Sequence, residues 1–476
     1  MQLPSHKTKI VCTIGPASED LSTIKDLMKA GLNIVRLNFS HGDFKTHAQV
    51  IRRVRKAAKE LKKRVALMAD LPGPKIRLGV LEKEPVYLKR GQKFVLTTRS
   101  VLGNENIAPV YWPELLKVVK KGSLIYVADG LIQLQVEEIK DQDVICTVVV
   151  GGELRSRKGI NFPGVDLGVC AFTPKDKEIL AFALEHGVDA VSQSFVGCAQ
   201  DVLAVRKAAS DLGYNPFIIA KIERAQALEH IDEILEVADG IMIARGDLGV
   251  EIPLERIAIV QKSLIQKALT YGKPVITATQ MLESMTHNKR PTRAEATDVA
   301  NAILDGTDAV MLSEESATGK YPVEATKMLA KIAAATEPFL ERERFFNMVC
   351  VKPQKPRSIV DLVSESIHNI VKNMDIATVF CPTESGTTAR KVSRFRLPCW
   401  ILGVSNHEKT CQELIFSFGV WPVYYGKKPL HWEKTVSKFI DQYAFQGDAI
   451  LLIEGPSRVH PTVPHRIEII PLSPGL

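Results

Sequence analysis

Eight short apolar runs recur along the chain, each followed by a segment whose apolar residues return at helical spacing. The first three cover 9–15, 33–39 and 65–71; after a pause the rest cover 189–195, 217–222, 240–244, 274–278 and 308–312. Helix signals sit between them, as where the pattern at Leu21–Ala30 stops at Gly31. Three βα units before the pause and five after it make eight. Right-handed units in that number close a barrel more readily than they build an open sheet.

Within the pause, from about Pro72 to Gly168, short alternating runs such as Phe94-Val95-Leu96-Thr97 and 144–150 are separated by Gly, Asp and Asn turns. From about Glu341 a third pattern begins beside Lys352-Pro353-Gln354-Lys355-Pro356, with strands predicted at 378–381, 400–404, 420–424 and 449–453. The fold class expected is α/β: a (β/α)8 TIM barrel (1–71 and 169–340), an inserted β-barrel-like domain after the third strand (72–168) and a C-terminal α/β domain (341–476).

Polar residues crowd the carboxyl ends of the runs: Arg36, Asn38, Ser40, Asp70, Lys221, Glu223, Arg245, Asp247 and Thr279. Strand punctuation needs only Gly, Asn or Pro. In a barrel these ends face one mouth, so a pocket of mixed charge is expected there.

Composition adds exclusions. The 476 residues are 45% hydrophobic and 24% charged, enough for a large core. No apolar run nears the roughly 20 residues of a membrane span, and the first nine residues lack a secretory pattern, so a cytoplasmic protein with no membrane partner is expected. Eight scattered cysteines without a C-x-x-C pair suggest buried thiols rather than disulfides or zinc. The net charge of +8 raises nucleic acid as a partner, with Arg52-Arg53-Val54-Arg55-Lys56 as the densest cluster. That cluster falls in a helical pattern whose stripe is Val50, Val54, Ala57, Ala58 and Leu61, which predicts a solvated basic face. With aromatics at 6%, no nucleic-acid partner is expected.

Several segments together resemble the pyruvate kinase family: KIVCTIGPA at 9–17, RLNFSHG at 36–42, DLPGPKIR at 70–77, KGIN at 158–161, AKIE at 220–223, ARGDLGVE at 244–251 and TATQMLESM at 277–285. They run in the family's order through nearly all of the barrel, and the match weakens in the C-terminal third. The resemblance implies phosphoryl transfer from phosphoenolpyruvate to ADP, a mobile lid for the insert, and a homotetramer. Two carboxylates at successive strand ends, Glu223 and Asp247, suit Mg2+, with Mn2+ an alternative. The resemblance gives Lys221 the role of offsetting charge on the phosphoryl group and the enolate. Backbone N–H groups of Gly246 and Asp247, with Thr279, would bind the substrate carboxylate. Arg36 and Arg77 would contact phosphates, Asn38, Ser40 and His41 would line the nucleotide side, and Lys158 would come from the insert.

Two departures stand out. Family members that need K+ hold it near Asn38, Ser40, Asp70 and the carbonyl of the next residue, with Thr where this chain has Leu71 and Glu where it has Lys75. A fixed ammonium at Lys75 could substitute for the ion, so K+ is not expected to be required; pairing of Lys75 with a neighbouring carboxylate is the alternative. Glu314 stands where the family usually has Gly. In the C-terminal region Thr383, Ser385, Gly386, Thr387 and Thr388 form a loop suited to a phosphorylated effector, while 455–461 depart from the family's glycine-rich segment. An effector other than fructose 1,6-bisphosphate, or none, is expected; a plain helix-capping loop is the competing reading. A barrel lyase or aldolase acting on pyruvate-type substrates would share a Glu/Asp metal pair but not the insert with Lys158. A non-catalytic polyanion binder would not need Lys221, Glu223, Asp247 and Thr279 at strand ends.

Overall fold

The computed structural model describes residues 3–128, 130–165, 168, 170–351, 357–426, 432–443, 445–455 and 465–472. Its centre is a closed barrel of eight parallel strands: Lys9–Thr13, Ile34–Asn38, Ala66–Leu71, Ala190–Gln193, Phe217–Ile222, Gly240–Ala244, Val275–Ala278 and Ala309–Leu312. Each strand pairs with the next, and the first closes on the eighth. The expected strands are all present, trimmed by one or two residues at several ends. Register sets the mouth in rows: Asn38 lies opposite Asp70, and Asp70 opposite Ser192.

Apolar side chains alternate between two cores. Val35, Leu67, Ile218 and Ile243 point outward beneath the helices, while Val11, Ile34, Met68, Ile219 and Met242 fill the barrel. Ile415 and Phe416 of the C-terminal region complete the inner cluster, and Phe416 stacks on Phe217 at 5.2 Å between ring centroids. The barrel floor is therefore closed by a foreign side chain.

The chain between the third and fourth barrel strands forms a six-stranded sheet and a two-stranded ribbon over their own apolar core. The C-terminal sheet has five strands in the order Val420–Tyr424, Trp400–Ser405, Ile376–Pro382, Ala449–Glu454 and Arg466–Pro471. The last is an antiparallel edge strand that the pattern of apolar runs does not reveal, because charged Arg466 and Glu468 interrupt its three isoleucines. Residues 352–356, read as a boundary, lie outside the described residues.

The basic helix Phe44–Leu61 buries Val50, Ile51, Val54 and Ala57 as its stripe requires. Its outer face is less free than expected. Arg53 donates to Glu19 O, and Arg55 donates to Val65 O, Gly187 O and the Asp189 carboxylate, so two of these arginines fasten the helix to neighbouring loops. Six of the eight cysteines are buried, Cys198 is half-buried and Cys170 exposed. No helix among the described residues is long and apolar enough to cross a membrane.

Candidate active site

Four of the strand-end residues, Arg36, Asp70, Lys221 and Glu223, meet in one buried network. Arg36, on the second strand, donates through Nε to Asp70 at 2.7 Å and through Nη1 to Thr13 Oγ1 at 3.0 Å. Asp70 also accepts from Ser192 Oγ at 2.7 Å and lies 3.4 Å from Lys221 Nζ. The Lys221 ammonium is wedged between Asp70 and Glu223, 2.8 Å from the latter, and donates to Ser194 Oγ at 2.7 Å. Glu223 is 1% exposed, and its second oxygen accepts from Phe195 N at 2.7 Å. Lys221 and Glu223 share a face because they are two apart at the end of one strand.

Electrostatics follow from this packing. Burial alone would lift the Asp70 carboxyl, but Lys221 and Arg36 outweigh it and hold it below its ordinary value. Burial would strip the Lys221 proton, yet Asp70 and Glu223 hold it on. Glu223 goes the other way: burial, reinforced by the nearby Asp247 charge and opposed by Lys221, leaves its carboxyl above the ordinary range. Two neighbouring carboxylates that repel each other make a donor pair fitted to a hard divalent cation. No group of three or more His, Cys, Asp or Glu side chains placed to hold a metal ion occurs among the described residues.

Asp247 opens the short helix Arg245–Glu251, directly after the sixth strand. In that helix Gly246 N donates to Thr279 Oγ1 at 2.8 Å, and Thr279 Oγ1 donates to Ala278 O at 2.6 Å. Thr279 has φ +68° and Phe195 φ +57°, left-handed conformations that are costly for a β-branched and for a bulky residue. Arg245 holds the Thr279 carbonyl at 2.7 Å and is itself anchored on Asp298.

Lys75 reaches this part of the mouth. Its ammonium lies 3.4 Å from Asp247, and among the described residues no hydrogen bond or ion pair joins it to Asn38, Ser40 or Asp70. Its stem runs under Gly159, where an added Cβ would sit 3.1 Å from Lys75 Cε. Leu71 is fully buried. Asn38 is half-buried and accepts from Ser40 N, while Ser40 and His41 are exposed. Arg77 and Lys158 are exposed on the insert; Arg77 holds Arg157 O, and among the described residues no hydrogen bond or ion pair joins either side chain to the barrel. After the eighth strand Glu314 is exposed, whereas Glu315 is buried and accepts from Ser313 N and Leu282 N, which fixes the loop.

The chain matches the family models "pyruvate kinase, barrel domain" over residues 5–326 and "pyruvate kinase, alpha/beta domain" over 361–460. A pyruvate kinase of Thermococcus litoralis is 49% identical over 96% of both chains, and one of Thermotoga maritima is 42% identical over 96% of this chain and 98% of that one. A crystal structure of a pyruvate kinase from Cryptosporidium parvum superposes with a TM-score of 0.92 at 34% identity, covering 98% of this chain and 97% of that one. The chain belongs to the pyruvate kinase family.

For a pyruvate kinase family site, the strand-end pattern misses three hydroxyls that bind the charged network: Thr13, Ser192 and Ser194. Ser192 and Ser194 alternate at the end of the fourth strand, the same two-residue signal that marks Lys221 and Glu223. It also misses Glu251, which accepts from Asn161 of the insert and from Ala225 N and ties the Asp247 helix to the insert.

In the C-terminal region the loop after Ile376–Pro382 is pinned from within. Gly386 N donates to Thr383 Oγ1 at 3.0 Å, Ser385 Oγ and Thr387 Oγ1 are 2.9 Å apart, and Arg390 holds Ser385 O at 2.6 Å. Thr388 follows in the helix Thr387–Ser393. Residues 456–461 of the expected terminal half lie outside the described residues.

Proposed function

We propose that this chain catalyses phosphoryl transfer from phosphoenolpyruvate to ADP, giving pyruvate and ATP at the final step of glycolysis. The observation that carries the chemistry is the buried Lys221 ammonium held between Asp70 and Glu223, with Asp247 close by. As the phosphorus–oxygen bond of phosphoenolpyruvate breaks and one to the terminal ADP oxygen forms, negative charge develops on the phosphoryl oxygens and on the enolate left behind. Lys221, buried and held between Asp70 and Glu223, would offset it. Glu223 and Asp247 would hold Mg2+, or Mn2+, which when bound neutralises charge on the transferring group.

Arg36 is aimed by Asp70 and Thr13 and would bind the substrate phosphate. Thr279 and the Gly246 and Asp247 backbone would receive the substrate carboxylate, the Gly246 N–H exchanging its present Thr279 partner for the ligand. Asn38, Ser40 and His41 would line the nucleotide side, completed by Arg77 and Lys158 when the insert closes. Turnover without K+ is supported by Leu71, which offers no hydroxyl, and by the Lys75 ammonium, which lies within the mouth rather than in bulk solvent. We take the enzyme to be cytoplasmic and homotetrameric, with Thr383 to Thr388 serving a phosphorylated effector. A lactate dehydrogenase-coupled assay for pyruvate from phosphoenolpyruvate, ADP and Mg2+ tests the central reading. No pyruvate above the enzyme-free rate would refute it.

A further inference from the structure

The two chains that join the insert to the barrel both pack on one turn at the barrel mouth. That turn, residues 194–198, connects the fourth barrel strand to the helix Ala199–Asp211. On the outgoing side an added Cβ at Gly73, φ +64°, would lie 3.1 Å from Phe195 Cδ2 and from Ser194 O. On the returning side Ala171 O accepts from Gln193 Nε2 at 2.8 Å, and Ala171 N donates to Asp201 Oδ1 at 3.0 Å. The other Asp201 oxygen accepts from Gly197 N at 2.8 Å and from Cys198 N at 3.3 Å. One buried carboxylate therefore holds the return of the insert and the end of the turn together.

A cysteine sits on each side of that carboxylate. Cys170 precedes Ala171 and is exposed; Cys198 is the N-cap of the helix Ala199–Asp211 and is half-buried. Ala171 N and Cys198 N share one carboxylate, which keeps them within about 9 Å of each other, and a disulfide needs Cα atoms about 4.4–6.8 Å apart. Bridging the pair draws the turn and the return segment toward each other. The other six cysteines are buried, which pushes their thiols up to about 11 for Cys350 and Cys411 and about 12 for Cys12, Cys146, Cys381 and Cys399. Such thiols are inert at neutral pH.

The turn is wired to the active site. Ser194 Oγ accepts from Lys221 at 2.7 Å, and Phe195 N holds Glu223 at 2.7 Å from a left-handed conformation, φ +57°. A strained turn of this kind persists only while its surroundings fix it. Cys198 also has a base at its proton, since Sγ donates to Asp201 Oδ2 at 3.9 Å.

We infer that Cys170 and Cys198 form a redox couple that a hydroperoxide oxidises to an intramolecular disulfide, displacing the 194–198 turn from Lys221 and Glu223 and lowering turnover. The Cys170 thiolate attacks one peroxide oxygen and becomes a sulfenic acid. The O–O bond breaks, and the departing oxygen takes up the proton released by the thiol, leaving as an alcohol or, from hydrogen peroxide, as water. The Cys198 sulfur then attacks the sulfenic sulfur, its proton passing through Asp201 to the hydroxyl, which leaves as water. The two thiols lose two electrons and the peroxide gains them. A dithiol reverses the bond by exchange.

The test treats the full-length enzyme with a small molar excess of hydrogen peroxide, then measures pyruvate formation and maps disulfides by mass spectrometry without reduction. The wild type should show a Cys170–Cys198 cross-link and lose about fivefold or more in turnover, with activity restored by dithiothreitol. Cys170→Ser and Cys198→Ser should each keep normal activity before treatment, form no cross-link and lose less than about twofold on treatment. In Cys198→Ser, dimedone should trap a sulfenic acid on Cys170. Both variants fold, because Cys170 is exposed and serine is a good N-cap at 198. No Cys170–Cys198 cross-link in the oxidised wild type, a cross-link between chains, or wild-type loss of activity in either serine variant would overturn the couple. A cross-link that leaves turnover unchanged would overturn the coupling to the site.

Discussion

The two ends of the barrel both bury charge, and they do so to different ends. At the floor, Asp308 accepts from Arg396 at 2.8 Å, Phe418 N at 2.8 Å and Val275 N at 3.0 Å, while Arg396 also donates to Gly306 O and Ser393 O. Acceptors and donors are matched within the protein, and the result fastens the C-terminal region to the barrel. At the mouth, Glu223 lies against Lys221 and Asp247 against Lys75, the two carboxylates repel each other, and Thr279 and Phe195 hold strained backbone. The floor pairs its charges within the protein; the mouth leaves the Glu223 carboxyl above its ordinary range beside strained backbone. Buried charge alone therefore does not mark a catalytic site: what sets the mouth apart is a carboxyl shifted by burial and a neighbouring charge, next to strained backbone.

The sharpest way to break this comparison is to alter the mouth. Asp247→Asn should lower Mg2+-dependent turnover by about a thousandfold or more, and Lys221→Met should lower kcat by about the same factor with a smaller change in phosphoenolpyruvate affinity. Circular dichroism should show the fold retained. Near-normal activity in the first, or an effect on KM alone in the second, would mean the assigned roles are wrong.

At the floor the same kind of substitution should act on stability instead. Arg396→Met strips Asp308 of its cation in a buried setting and should cost about 3 kcal/mol. Denaturant unfolding would reveal it, while kcat of the folded fraction should stay within about twofold. A catalytic loss without a stability loss would erase the distinction between the two ends.

A smaller effect concerns Lys75. The wild-type enzyme should turn over in buffer free of K+ and Na+, and Lys75→Glu should lose about tenfold in that buffer and recover, at least partly, when K+ is added, a change of about 1.4 kcal/mol in the barrier. A strict K+ requirement in the wild type would refute the substitution of ammonium for ion.

The smallest effect is at the floor. Lys9 is fully buried against Val420 O and the Trp400 ring, and burial brings its pKa down to about 7. Its folded value lies below its unfolded one, so above pH 7 the unfolded chain binds the extra proton and this contribution to stability grows with pH. Between pH 7 and 8 the gain should be about 1 kcal/mol, and Lys9→Met should remove that slope. An unchanged slope in the variant would show that Lys9 stays charged in the folded protein.

The sequence by itself determined the barrel, its interruption after the third strand and the family, because strand and helix periods and the strand-end motifs are local properties that survive without knowledge of contacts. Lys221 and Glu223 were legible for the same reason, being two residues apart on one strand. What paired with what was settled only by closure of the barrel. Ser192 and Ser194 look like ordinary strand polarity until register sets Ser192 beside Asp70 and packing brings Ser194 to Lys221. Lys75 reads equally well as solvated or engaged, and only the docking of the insert carries it to Asp247, 172 positions away in the chain. The plug of Phe416 on Phe217 is likewise invisible in one dimension. Long-range contacts depend on where the chain returns in space, and local pattern encodes the elements rather than the return.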